Sequence, residues 1–162
     1  MSFRNTMYRL PVYVWNRLLE KSKEEVEKYD NDLEHFFEVN NIIKLQGDFC
    51  TQIIEDMNRE GKLKRFTLEK LPSECDIIYG VLDKELFDVC IEKCKEHTKN
   101  YIQRMEDNDK NYLCSMINLL EVSEEKNQCI KGPWTWFDAL YELFFIKKTT
   151  DWEEYVILCI VS

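Results

Sequence analysis

Apolar side chains along this chain recur mostly at three- and four-residue steps, the spacing that lines one face of a helix. Pro11 suits the first turn of a helix, and the stretch 12–29 puts Val12, Trp15, Leu18 and Leu19 on one side before turning charged. Asp30, Asn31 and Asp32 break that run, and Asp32 is placed to cap the next helix. Residues 33–58 carry Phe36, Val39, Ile43, Cys50, Ile53, Ile54 and Met57 at helical steps, which predicts one long helix with a single buried stripe. Gly47 falls inside it at a cost of about 1 kcal/mol relative to alanine. A close backbone approach is its expected role, and Gly61 is the expected stop.

The pattern continues in shorter pieces. Residues 63–71 form a short element before Pro72, and Ser73 with Asp76 resembles a capping box for a helix over 74–87. The stripe over 89–105 is thin: Ile91, Cys94, Tyr101 or Ile102, and Met105. An acidic turn then leads into 110–122, apolar on most sides, and 123–131 reads as a polar loop. Gly132-Pro133 opens an aromatic helix, WTWFDALYEL, and Thr150 with Glu153 suggests a cap for a last one. The closing run YVILCIVS, residues 155–162, is too short to span a bilayer and reads as a core helix or the start of an anchor. The expectation is an all-α single domain over 1–162, a bundle of about eight helices without repeats.

Composition agrees with that class. Only 4 Gly and 3 Pro are present in 162 residues, few for a sandwich or a dinucleotide-binding unit, both rich in turn glycines. The net charge is −9 and no basic block exceeds Leu63-Lys64-Arg65, which argues against a phosphate-tracking surface and so against nucleic acid. An acidic body suits a basic partner, and also suits solubility alone. The N-terminus lacks the apolar core of a signal peptide. The 7 cysteines, odd in number and irregular in spacing, then read as reduced, mostly buried thiols of a cytosolic or nuclear protein.

Candidate chemistry is sparse. Cys90, Cys94 and His97 lie within two helical turns, with Cys129 as a conceivable fourth ligand, but zinc sites favour paired short-spaced ligands and no metal is expected. Residues 107–111, DNDKN, start like a calcium loop, yet Tyr112 stands where glycine is required and Asn118 where a bidentate glutamate is, so a helix–helix turn is the better reading. With 2 histidines and no glycine-framed nucleophile, no catalytic residue and no cofactor is assigned, and the chain reads as a non-enzyme.

Trp134-Thr135-Trp136-Phe137-Asp138-Ala139-Leu140-Tyr141 after Gly132-Pro133, and Ile43 to Asp48 earlier in the chain, together resemble motifs of the Bcl-2 family of apoptosis regulators. Trp134, Phe137, Leu140 and Tyr141 match its W-x-x-F-x-x-L-Y motif after a glycine-containing turn. Ile43-Lys44-Leu45-Gln46-Gly47-Asp48 resembles its BH3 motif, where the glycine admits a neighbouring helix. A third motif keeps Glu85-Leu86-Phe87 but has Glu92-Lys93-Cys94-Lys95 in place of Asn-Trp-Gly-Arg. Lys95 there takes the position of an arginine that pairs with a ligand aspartate, keeping the charge and losing the bidentate fork. The polar stretch 89–105 also departs from the family's hydrophobic central helix. Compactness and divergence resemble the pro-survival homologues of large DNA viruses.

The resemblance implies a helical bundle with a hydrophobic surface groove that sequesters BH3-containing pro-apoptotic proteins by binding their amphipathic helix. Carried over by position, the groove would comprise Cys50, Ile54, Met57, Leu82, Glu85, Leu86, Lys95 and Tyr141. Trp134 and Phe137 would pack the aromatic helix into the bundle. The protein would be cytoplasmic and reach host mitochondria through its partners. Alternatives are a helical scaffold or homo-oligomer without a groove, a pro-apoptotic member of the family, and a zinc-binding module.

Overall fold

The structure, a computed structural model, describes residues 5–29, 33–47, 50–65, 78–122 and 135–161. It is a mixed α/β protein, which corrects the all-α expectation. In chain order the elements are β1 (Asn5–Pro11), α1 (Val12–Glu27), α2 (Leu33–Val39), β2 (Ile43–Gly47), α3 (Thr51–Arg59), β3 (Lys64–Arg65), β4 (Ile78–Leu82), α4 (Lys84–Ile102), α5 (Asp107–Val122), α6 (Thr135–Thr149) and β5 (Tyr155–Val161). The expected caps at Asp32 and at Ser73 with Asp76, the loop 123–131, Gly132-Pro133, Trp134, Asp48 and Cys129 lie outside the described residues.

The strands form one sheet in the order β2-β1-β5-β4-β3, antiparallel at every pairing. The closing apolar run is therefore neither helix nor anchor but the central strand. β5 pairs with β1 from Tyr155↔Pro11 to Val161↔Asn5 and with β4 from Ile157↔Leu82 to Val161↔Ile78. A strand with both neighbours in place and both faces covered has nowhere to put polar side chains, which is why YVILCIV shows no alternation. Its β-branched content favours the pleat over a helix.

The long helix expected over 33–58 is three elements. Asn41, at φ 56°, ends α2 in the left-handed conformation that asparagine tolerates. Ile42 N–H donates to Phe37 O at 2.9 Å and Asn41 N–H to Glu38 O at 3.3 Å, the paired bonds of a Schellman stop. The chain then enters β2, and Gly47 ends that strand rather than easing a helix contact. Gly61, at φ 71°, closes α3 as expected, with Lys62 N–H donating to Met57 O and Gly61 N–H to Asn58 O, both at 3.0 Å.

The chain divides into two compact units, Met1–Leu86 with Thr150–Ser162, and Phe87–Thr149. In the first, one face of the sheet presents Leu10, Val81, Val156 and Leu158 to Val14, Trp15 and Leu18 of α1, Phe36 of α2 and Ile42. Leu19, expected on that inward stripe, is instead exposed. The opposite row, Met7, Leu82, Ile157 and Cys159, is fully buried. Gly80 belongs to that row, and a Cβ there would lie 2.7 Å from Leu63 Cδ1, so glycine lets Leu63 settle onto the strand. α3 contacts β5 and buries Ile53, Ile54 and Met57.

The second unit is helical. α4 buries Phe87, Cys90, Ile91, Cys94, Thr98 and Ile102 at three- and four-residue steps, and α5 packs on α6. Tyr101 is exposed, so Ile102 carries the end of that stripe. Residues 107–111, expected as a helix–helix turn, instead start α5, with Asp107 and Asp109 in its first turn, where negative charge suits the helix dipole.

Candidate functional site

Among the described residues the strand order leaves β2 at an edge, with β1 as its neighbour. Thr6 pairs with Gly47, Met7 with Gln46, Tyr8 with Lys44 and Arg9 with Ile43, and a bulge between Met7 and Tyr8 leaves Leu45 as the extra residue. Strand alternation puts Lys44 on the α1–α2 side and Ile43 on the other. Ile43 is 54% exposed, and Val39, the last residue of α2, is 50% exposed. Unpaired backbone groups on an outer strand are a template for another chain, and a lysine and a bulge are devices that limit indiscriminate pairing.

Beside this edge, α1 and α2 are tied by a polar contact. Arg17 Nη2 donates to Asn40 Oδ1 at 2.7 Å, and Asn40 Nδ2 donates to Phe36 O at 2.9 Å. Asn40 is buried, so its amide is held on both sides, and it fixes the guanidinium. That guanidinium lies 5.4 Å from the centroid of the Tyr13 ring, which is 56% exposed. A restrained Arg–Tyr stack is a rigid, amphipathic feature of the kind that anchors protein interfaces. Glu34 and Glu38 are exposed one turn apart on α2. Burial raises the pKa of Tyr8, and the charge of Glu34 adds to it. The Tyr8 ring sits 4.8 Å from that of Phe37, which pins α2 to the sheet.

The residues expected to line a groove are placed differently. Cys50 at the N-cap of α3, Ile54 and Met57 on that helix and Leu82 on β4 are buried, whereas Glu85 is exposed and Leu86 half-buried at the start of α4. Asp83 caps that helix, accepting from Leu86 N–H at 2.9 Å. Lys95 and half-buried Tyr141 belong to the second unit. The BH3-like stretch, expected on a helix, is strand β2 over 43–47. In the other motif, Leu140 is buried on α6.

Lys95 is engaged within its own unit. Its ammonium donates to Glu121 Oε1 at 2.9 Å and Glu92 Oε1 at 3.2 Å and lies 5.5 Å from the Phe144 ring centroid, with 12% of its side chain exposed. Burial pulls its pKa down, but the hydrogen bonds and charges of Glu121 and Glu92 outweigh that, and the net shift is upward. Cys50, Cys90, Cys94 and Cys159 are buried thiols and Cys114 is exposed. Among the described residues no group of three or more His, Cys, Asp and Glu could hold a metal, and no helix is long and apolar enough to cross a membrane.

The residues at the β2 edge escaped the sequence reading. Their signal was the two-residue alternation in Ile43-Lys44-Leu45-Gln46, masked by apolar positions that also fit a helical step. Comparison with family models, curated proteins and solved structures finds no match for this chain.

Proposed function

We propose that this protein is a non-enzymatic binding module that captures an extended segment of another polypeptide along β2. The observation that carries the reading is the edge position of β2 with Ile43 and Val39 both at least half exposed beside it. Strand addition supplies affinity through backbone hydrogen bonds and selectivity through alternate side chains. The net charge of −9, with Glu34 and Glu38 exposed on α2, favours a segment carrying basic residues among its apolar ones and disfavours a second copy of this chain.

Partner capture is what remains of the expectation drawn from the Bcl-2 resemblance. The bundle that would carry its groove is replaced by a sheet, and four of the apolar groove positions are buried. BH3 peptides belong in the test as a separate arm, since an amphipathic helix would need a groove rather than an edge.

The test is display selection of random peptides on the full chain, with affinity then measured against Ile43→Asp. Ile43 is exposed, so the substitution leaves the core alone. Binders are expected to lose affinity by about tenfold or more, roughly 1.4 kcal/mol. N-methylation of one alternate set of peptide amides is expected to abolish binding while the other set tolerates it. Binders indifferent to both changes, or a BH3 helix bound equally well by Ile43→Asp, would overturn the proposal.

A further inference from the structure

β4 and β5 are antiparallel neighbours in register from Ile78↔Val161 to Leu82↔Ile157, a pairing that a short turn would serve. The chain instead spends α4, α5 and α6 between them. The unit Phe87–Thr149 is thus an insertion in a hairpin connection, and it separates as a compact body from the remainder. The core cluster on the α1–α2 face of the sheet draws each of its described members from the other unit: Leu10, Val14, Trp15, Leu18, Phe36, Ile42, Val81, Val156 and Leu158. Among the described residues, the strand ladder and that core therefore close without the insert.

The insert has ties of its own. Lys95 on α4 reaches Glu121 on α5 at 2.9 Å and the Phe144 ring on α6 at 5.5 Å, so one side chain touches all three helices. Lys147 on α6 meets Asp88 on α4 at 2.7 Å, a second link. The two lysines differ in burial: the Lys147 side chain is 37% exposed and that of Lys95 12%, with the partner carboxylates exposed in both cases. Exposed pairs contribute little, and a mostly buried charge with two carboxylate partners contributes more, because removing a partner strands it.

We propose that α4, α5 and α6 open as a cooperative unit of their own while the sheet stays formed, with Lys95 as the side chain that governs the opening. Regions that open below the global unfolding step are contiguous and are identified by shared amide exchange.

The test is hydrogen exchange by mass spectrometry on the full chain and two variants. Lys95→Met keeps the aliphatic stem beside Phe144 and removes the charge. It is expected to speed exchange across 87–122 and 135–149 by about tenfold and to leave the amides of β1, β4 and β5 unchanged. Leu158→Ala weakens the sheet core and is expected to accelerate the strands without a matching change in the insert. Should Lys95→Met fail to fold, Glu121→Gln removes one partner more gently and is expected to act in the same direction on the same segments. Equal acceleration of both units by either variant would overturn the separate opening. An insert unmoved by Lys95→Met and Glu121→Gln would overturn the role of Lys95.

Discussion

Replacing Asn40 by alanine tests the junction on which the proposed site stands. Its amide nitrogen donates to Phe36 O at 2.9 Å and its amide oxygen accepts from Arg17 Nη2 at 2.7 Å, while the residue is 7% exposed. A buried neutral hydrogen bond contributes about 1 kcal/mol net. The Arg17 bond is charge-assisted, but Arg17 is exposed and recovers water when the partner is lost, so it is discounted to about 0.5–1 kcal/mol. Phe36 O keeps a second donor, Asn40 N–H at 3.1 Å, so no buried acceptor is left bare. The expected loss is about 1.5–2 kcal/mol, a fall in Tm of roughly 3–8 °C for a chain of this length. Urea unfolding read from β1 and β5 amide exchange measures it. Arg17→Ala is expected to cost less than about 1 kcal/mol alone and clearly less in the Asn40→Ala background, where only its stack on Tyr13 remains to be lost. An Asn40→Ala loss below about 0.5 kcal/mol, or an equal Arg17→Ala loss in both backgrounds, would refute the reasoning.

Packing and charge set three further outcomes. Leu158→Ala, at a fully buried position of the central strand, is expected to lower sheet stability by about 2–5 kcal/mol, measured by urea unfolding. Gly80→Ala asks only the tip of Leu63 to move and is expected to be mild, whereas Gly80→Val is expected to cost about 1–3 kcal/mol, and parallel thermal melts compare the two. At alkaline pH both units are expected to weaken, by different groups. The raised Lys95 pKa means its contribution is complete below the ordinary lysine value, about 10.4, and is lost as pH rises through the folded one. Tyr8, also raised, stays protonated in the fold where the unfolded chain ionises, so stability falls above about pH 10. Unfolding curves between about pH 9 and 11.5 on wild type, Tyr8→Phe and Lys95→Met separate the contributions, each variant losing part of the pH dependence.

Local signals in the sequence are readable where a local interaction decides the structure. Pro11 directly precedes α1, Gly61 stops α3, Ile53, Ile54 and Met57 form its buried stripe, and the thiols at 50, 90, 94 and 159 are buried. What stays hidden is non-local. β1 and β5 lie at opposite ends of the chain, and Leu10 meets Val156 across most of its length. Periodicity cannot register that pairing, so hydrophobicity alone assigns the run 155–161, and assigns it to a helix. The stop at Asn40-Asn41 is overridden by a helical stripe that continues past it by coincidence, and with it goes the edge strand. The motif resemblance inherits that error, because its glycine is placed on the same imagined helix. The Tyr13–Arg17–Asn40 contact joins two elements through a cap residue, and spacing within either one does not announce it.

The most direct test of the central claim is amide NMR of labelled protein at Ile43, Lys44 and Leu45, before and after addition of a peptide selected on the full chain. The account predicts cross-strand contacts from these residues to Tyr8 and Arg9 in the unliganded protein. On titration it predicts that their shifts move most, and that alternate amides among them become protected as the added strand pairs. Helical shifts over 43–47, or a response centred on 87–149 with β2 unmoved, would contradict it.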